Sequence, residues 1–139
     1  MGYEEIIAIW RQKHIRTAAD IACEMNGNGA AFIYHSAKIE NDSITYHDTR
    51  EIFDHGGVTG YTGDVRSLFE IQNLVAAYYL LLLWDHPPII IHEEDRRDYY
   101  AALERFDAAQ SLEPLVEFLK VQAVKTWQAR FERVQNKKQ

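Results

Sequence analysis

The chain has 139 residues, 47% hydrophobic and 26% charged, with seven glycines and three prolines. That is the composition of one globular domain and excludes a disordered or fibrous chain. Fifteen lysines and arginines against 21 aspartates and glutamates leave a net charge of −6, which disfavours nucleic acid as a partner. The single cysteine, Cys23, excludes an internal disulfide and a cysteine-rich zinc site, and suits a reducing compartment. Met1–Ile7 carries glutamates where a signal peptide has basic residues. The longest apolar run, Leu74 to Trp84, is too short to span a bilayer. These features lead us to expect a soluble, cytoplasmic single domain with no membrane partner.

Helical spacing dominates the chain. Ile6, Ile7 and Trp10 share one helix face. Thr17 is an N-cap for a short helix over Ala18 to Glu24, and Asn26-Gly27-Asn28-Gly29 is expected to break it. A helix over Ala30 to Ile39 comes next, with Phe32 and Ile33 on the side of Ala37. Asn41-Asp42-Ser43 is a turn. Thr45 and Asp48 form an N-cap pair for Tyr46 to Phe53, which ends at His55-Gly56-Gly57. After a loop over Val58 to Gly63, Thr62 or Asp64 caps a long helix through Val65, Leu68, Phe69, Ile71, Val75, Tyr78, Tyr79 and Leu82. Its second half is apolar almost all round, which predicts a central helix covered by others.

Pro87-Pro88 stops this helix. Ile89-Ile90-Ile91 reads as an extended linker beside a helical core rather than a strand. His92 to Asp107 is a helix with Glu93, Glu94 and Asp95 in its first turn, favourable at the positive end of the helix dipole. Glu113-Pro114 opens the last helix, whose Leu115, Phe118, Leu119, Val124, Trp127, Phe131 and Val134 recur at helical spacing; Lys137 and Lys138 lie beyond its C-terminal end, the favourable one for cations. The expected fold class is all-α, with about six or seven helices.

Two stretches resemble the Fic family, whose typical members transfer AMP from ATP to a protein hydroxyl. The first runs from Phe32 through Ser36-Ala-Lys-Ile-Glu40-Asn41 and on over Ile44 to Phe53. It is similar to the inhibitory helix of that family, with the motif [S/T]-x-x-x-E-[G/N] matched by Ser36, Glu40 and Asn41, and to the helix after it. The second runs from His86 to Leu103 and over Leu112 to Leu119, and resembles the segment after the family's catalytic helix. With Thr62 to Asn73 included, the resemblance extends over more than half the chain.

Between such stretches, family members carry HPFx[D/E]GNGR. The histidine is a general base for the attacking hydroxyl. The acidic residue holds Mg²⁺ on the phosphates. The glycine turn cradles phosphate at a helix N-terminus, and the arginine neutralises phosphate charge. This chain lacks that segment. It passes from Phe69-Glu-Ile-Gln-Asn73 almost directly to Tyr78 through Pro88, as if the middle were excised near Leu74 to Ala77. The resemblance therefore implies a single Fic-like helical domain, internally truncated, with an N-terminal part over residues 1–73 and a C-terminal part over 74–139.

No catalytic or metal-binding residue is expected, and no cofactor; ATP and Mg²⁺ enter only if an altered centre exists. The family glutamate, here Glu40, pairs with the motif arginine and obstructs productive placement of the γ-phosphate, but that arginine is missing. Ser36 and Glu40 are also simply i and i+4 on a helix. Gly27-Asn28-Gly29 has no His-Pro-Phe before it and Ala30 where arginine would stand, so it reads as a turn. His86 lacks the rest of its motif and reads as a loop residue; His92 reads as a cap or surface residue; Cys23 reads as a buried structural thiol. The stripe ending in Trp127 and Phe131 reads as core. Asp95-Arg96-Arg97-Asp98 reads as a solvated helix face.

Removing packed helices leaves apolar surface on Val75 to Leu83. Exposing several hundred Å² costs about 10 kcal/mol at roughly 25 cal/mol per Å², comparable with the stability of a whole domain. The expectation is a re-packed or helix-exchanged homo-oligomer, a dimer in the simplest case. Three functions remain open: an inactive Fic remnant or interaction module, an antitoxin-like regulator that presents Glu40 in trans to an intact Fic enzyme, and an adenylyltransferase with an altered centre.

Overall fold

A computed structural model describes residues 1–55 and 63–137. The fold is all-α; among the described residues there is no strand. The helices are α1 (Tyr3–Arg11), α2 (Ala18–Glu24), α3 (Ala30–Glu40), α4 (Tyr46–His55), α5 (Val65–Leu83), α6 (Arg96–Ala109) and α7 (Glu113–Asn136). The expected helix end at Gly56-Gly57, most of the loop over Val58 to Gly63, the Thr62 cap and Lys138 lie outside the described residues.

The caps obey the local chemistry. Thr17 Oγ1 accepts from the Asp20 backbone N–H at 3.1 Å, and the Asp20 carboxylate accepts from the Thr17 N–H at 2.8 Å, a reciprocal box at the start of α2. Thr45 and Asp48 repeat it at α4, with Asp48 N–H donating to Thr45 Oγ1 at 3.1 Å. Asp64 caps α5 by accepting from the Arg66 N–H at 3.2 Å. Pro114 lies in the first turn of α7, where its missing N–H leaves no helical bond unmade.

Two expectations about helix ends are corrected. Asn26 to Gly29 does not break the chain's helix: Met25–Gly29 is a π-helical turn that joins α2 to α3. Gly29 is buried there, and a Cβ on it would stand 2.8 Å from the Phe53 ring. Glycine here permits close packing rather than a turn. The helix expected from His92 opens as a 3₁₀ turn, Glu93–Asp95, and becomes α-helical at Arg96.

The chain divides into two compact units: Met1–His14 with Ile89–Gln139, and Ile15–Pro88. The expected junction at 73/74 falls inside α5, which runs unbroken from Val65 to Leu83. In the first unit α7 packs against both α1 and α6. Trp10 and Trp127 meet edge to face, with ring centroids 4.9 Å apart, and Trp127 stacks on Phe131 at 5.3 Å. All three are buried, as expected of core positions. The linker is extended through Ile89 to Ile91. There the Ile90 N–H donates to Thr126 Oγ1 at 3.2 Å, and the Thr126 hydroxyl donates back to the Gln122 carbonyl at 2.7 Å.

The second unit is built on α3, α4 and α5, each in contact with the other two. Its core is Ile33, Ala37, Ile44, Ile52 and Ile71, with Phe53, Leu68 and Val75 against it. Phe32 meets Tyr78 edge to face at 5.8 Å. The end of α5 is a left-handed cap. Asp85 has φ 54°, its N–H bonds to the Leu82 carbonyl, and the His86 N–H bonds to Leu81. Arg16 pairs with the Asp85 carboxylate at 3.3 Å.

The expectation that α5 is central and covered is corrected. Ser67, Ile71, Tyr78 and Leu82 are buried, but Val65, Phe69, Tyr79, Leu80, Leu83 and Trp84 are exposed. Three helices bury one side of α5 only as far as α2, α3 and α4 reach around it.

Candidate functional site

Ser36, Glu40 and Asn41, the residues that resemble the inhibitory motif, stand at the C-terminal end of α3. Ser36 is half-buried, Glu40 is exposed as the last helical residue, and Asn41 is the cap, with extended backbone at φ −146° and ψ 101°. The helix bears inward on Phe32, Ile33, Ala37 and Ile39, all buried. Ser36 and Glu40 are therefore one turn apart on a helix whose other faces are fixed by packing.

Asn41 organises the site. Its N–H bonds to the Ala37 carbonyl at 3.0 Å, ending the helix. Its side-chain carbonyl accepts from the Ser43 N–H at 3.0 Å and from the Ser43 hydroxyl at 2.5 Å, closing the Asn41-Asp42-Ser43 turn. Its amide donates to Ser67 Oγ on α5 at 3.1 Å. Ser67 is buried, so this bond cross-braces α3 to α5 at the level of Glu40. Lys38 Nζ donates to the Asp42 carbonyl at 2.5 Å and ties down the same turn. Behind the turn, Ile44 is wholly buried and anchors the chain before α4.

The result is an exposed glutamate at a braced helix end. Such a group can accept paired hydrogen bonds from a guanidinium of another molecule. The Ser67 brace is not visible in the sequence, because Asn41 and Ser67 are 26 positions apart and no periodicity links them.

The other candidates are scattered. Gly27-Asn28-Gly29 lies within helix, so its backbone N–H groups do not form the open N-terminal cradle that phosphate needs. His86 comes after α5, with Nδ1 2.7 Å from the Pro87 carbonyl oxygen. His92 is half-buried at the start of the 3₁₀ turn and makes no side-chain cap there. Cys23 is exposed, correcting the buried reading: it stands on the outer side of a short amphipathic helix whose buried residue is Ile21. No group of three or more His, Cys, Asp or Glu side chains is arranged to hold a metal among the described residues. No helix there is long and apolar enough to cross a membrane.

Two features of the first unit also carry no sequence signal. Lys125 on α7 bonds to Glu94 and, at 2.6 Å, to Asp95, clamping the 3₁₀ turn. The hydrogen bond from Lys125 holds the Asp95 carboxyl below the usual carboxylate range, and the bonds to Asp95 and then Glu94 hold the ammonium pKa up. An open groove of about 320 Å³ between α6 and α7 is lined by Asp98, Ala101, Arg105, Pro114, Glu117 and Phe118. No family model, curated protein or solved structure matches the chain.

Proposed function

We propose that this chain is a Fic-like helical module that acts by binding and has no AMP-transfer centre. The observation that carries the reading is the end of α3, where Glu40 is exposed beside an Asn41 locked to α5 through Ser67. AMP transfer of the Fic type needs a base, a metal-holding acid, a phosphate-cradling turn and an arginine in one segment. The sequence lacks that segment, and its one glycine-rich stretch within the described residues is helical. Incubation with Mg·ATP, then intact mass measurement, tests this for the wild type and Glu40→Gly. No adduct is expected on either; an AMP adduct on either overturns the reading.

The exposure of Glu40 favours one specific role for such a module: the carboxylate is presented in trans to the arginine of an intact Fic enzyme, as in an antitoxin. AMP transfer by an intact Fic enzyme, measured with and without this chain, should fall when the chain is added. Glu40→Gly should remove the effect; inhibition unchanged by that substitution would exclude the role.

The module also self-associates in this reading, since α5 presents a long apolar face to water. The exposed lone thiol of Cys23 suits the reducing cytoplasm.

A further inference from the structure

The exposed residues of α5 are not scattered. At 100° per residue, Val65, Phe69, Ala76, Tyr79, Leu80 and Leu83 fall on one stripe about 100° wide, opposite the buried Ser67, Ile71, Tyr78 and Leu82. Trp84 extends the stripe past the helix end. Its large apolar members are 42 to 81% exposed. Gln72 is the half-buried polar residue within the stripe, and no charge lies in it. Arg66 and Glu70 stand at its margin and pair with each other at 2.8 Å.

The pattern has a centre. Ala76 and Ala77 are exposed and small, with Phe69 seven residues before Ala76 and Leu83 seven after. Seven residues is close to two helical turns, so both lie above and below Ala76 on the same line. Turned about a two-fold axis through Ala76, the stripe meets a copy of itself: Phe69 faces Leu83, Leu83 faces Phe69, and the alanines let the two helices approach. A two-fold contact must be self-complementary in this way.

The area is also adequate. Taking about 200 Å² for a large side chain, the exposed parts of Val65, Phe69, Tyr79, Leu80, Leu83 and Trp84 offer at most roughly 700 Å² per copy. Two copies then bury about 1,400 Å², within the range of stable, specific interfaces. Charge does not oppose it: although each chain carries −6, the face itself is neutral.

We infer that a second copy of this chain covers the stripe, as an antiparallel α5–α5 pair with its two-fold axis at Ala76. The inference rests on the reading of a self-associating module and adds its surface and register. The test combines mass with cross-linking. Light scattering on the full chain should give a dimer. In a Cys23→Ser background, Ala76→Cys should cross-link to itself on mild oxidation. Phe69→Cys should cross-link only when mixed with Leu83→Cys. Leu80→Glu with Leu83→Glu should weaken dimerisation more than tenfold, with the helical circular dichroism unchanged.

A monomer at micromolar concentration, or a face occupied instead by another protein or a lipid surface, overturns both the self-association and the pairing. A dimer that survives the two glutamates, or in which Ala76→Cys stays reduced, keeps self-association and overturns the α5 interface. Phe69→Cys cross-linking to itself overturns the antiparallel register.

Discussion

The two units use different materials for the same task. Met1–His14 with Ile89–Gln139 gathers the ends of the chain, and its contacts are aromatic: Trp10 on Trp127, Trp127 on Phe131, with Lys13 4.5 Å above the Trp10 ring. Ile15–Pro88 packs isoleucines between helices close in sequence. The first unit buries both its tryptophans, and the large hydrophobics it exposes are aliphatic: Leu112, Val116, Val121 and Val134. The second unit buries Phe32 and Tyr78 with its isoleucines, and leaves Phe69, Tyr79, Leu80 and Leu83 of α5, and Trp84 just past it, exposed. It also carries the braced Glu40. Among the described residues, the exposed large aromatic side chains, Tyr46, Phe69, Tyr79 and Trp84, thus all belong to the second unit.

The largest expected effects separate the two interiors. Trp10 and Ile71 are both fully buried. Trp10→Ala should cost about 3–5 kcal/mol and Ile71→Ala about 2–5 kcal/mol, each a large part of a domain's stability. Trp10 and Trp127 report on the first unit by fluorescence, once Trp84 is changed to Phe, while far-ultraviolet circular dichroism reports on both. Ile71→Ala should lower part of the circular-dichroism transition and leave the fluorescence midpoint in place. A common shift of both probes would mean that the two units unfold as one.

Next comes the brace behind Glu40. Asn41→Ala removes the bond to Ser67 and the bonds that close the turn, and should cost about 1–2 kcal/mol. Ser67→Ala should cost less, and the double variant should fall short of the sum because the two residues share one bond. Simple additivity in urea unfolding would mean that the side chains do not couple. A shortfall would mean that a polar link beside Glu40 holds the second unit together with its isoleucines.

These residues also mark how much was legible in the sequence. The caps at Thr17, Thr45 and Asp64, the stop at Pro87-Pro88 and the buried Trp10, Trp127 and Phe131 come from local rules, and local signals are what a sequence displays. The misreadings have a common cause. Asn-Gly-Asn-Gly is turn chemistry until Phe53 packs on Gly29 and the helix continues through it. The apolar second half of α5 predicts burial, but how much is buried depends on how many helices surround it. Asn41–Ser67 and Lys125–Asp95 join positions 26 and 30 apart, and no periodicity marks either pair.

The π-helical turn gives a smaller, signed test. A Cβ on Gly27 would meet nothing within 4 Å, whereas one on Gly29 would strike the Phe53 ring. Gly27→Ala should therefore stabilise by about 0.5–1 kcal/mol, the ordinary gain of alanine over glycine in a helix. Gly29→Ala gains the same propensity but must displace the ring, and should be less stable than Gly27→Ala by about 1 kcal/mol or more. Equal midpoints for the two variants would argue that Phe53 is not held against this turn.

The smallest effect belongs to the first unit. Lys125 joins α7 to Glu94 and Asp95, but the lysine and Glu94 stand in solvent, so Lys125→Met should cost about 1 kcal/mol or less at neutral pH. Its pH dependence identifies it better than its size. The folded Asp95 pKa lies below its ordinary value, so the stabilisation is present above that ordinary value and is lost as pH falls through the depressed one. The folded Lys125 pKa lies above its ordinary value, so its share is complete below that value and is lost as pH rises through the raised one. Wild type and Lys125→Met should therefore differ most between these limits and converge in strong acid. High salt should narrow the gap at neutral pH. A gap that persists in acid would exclude the Lys125–Asp95 charge pair as its source, since Asp95 is then neutral and methionine keeps the length of the lysine stem.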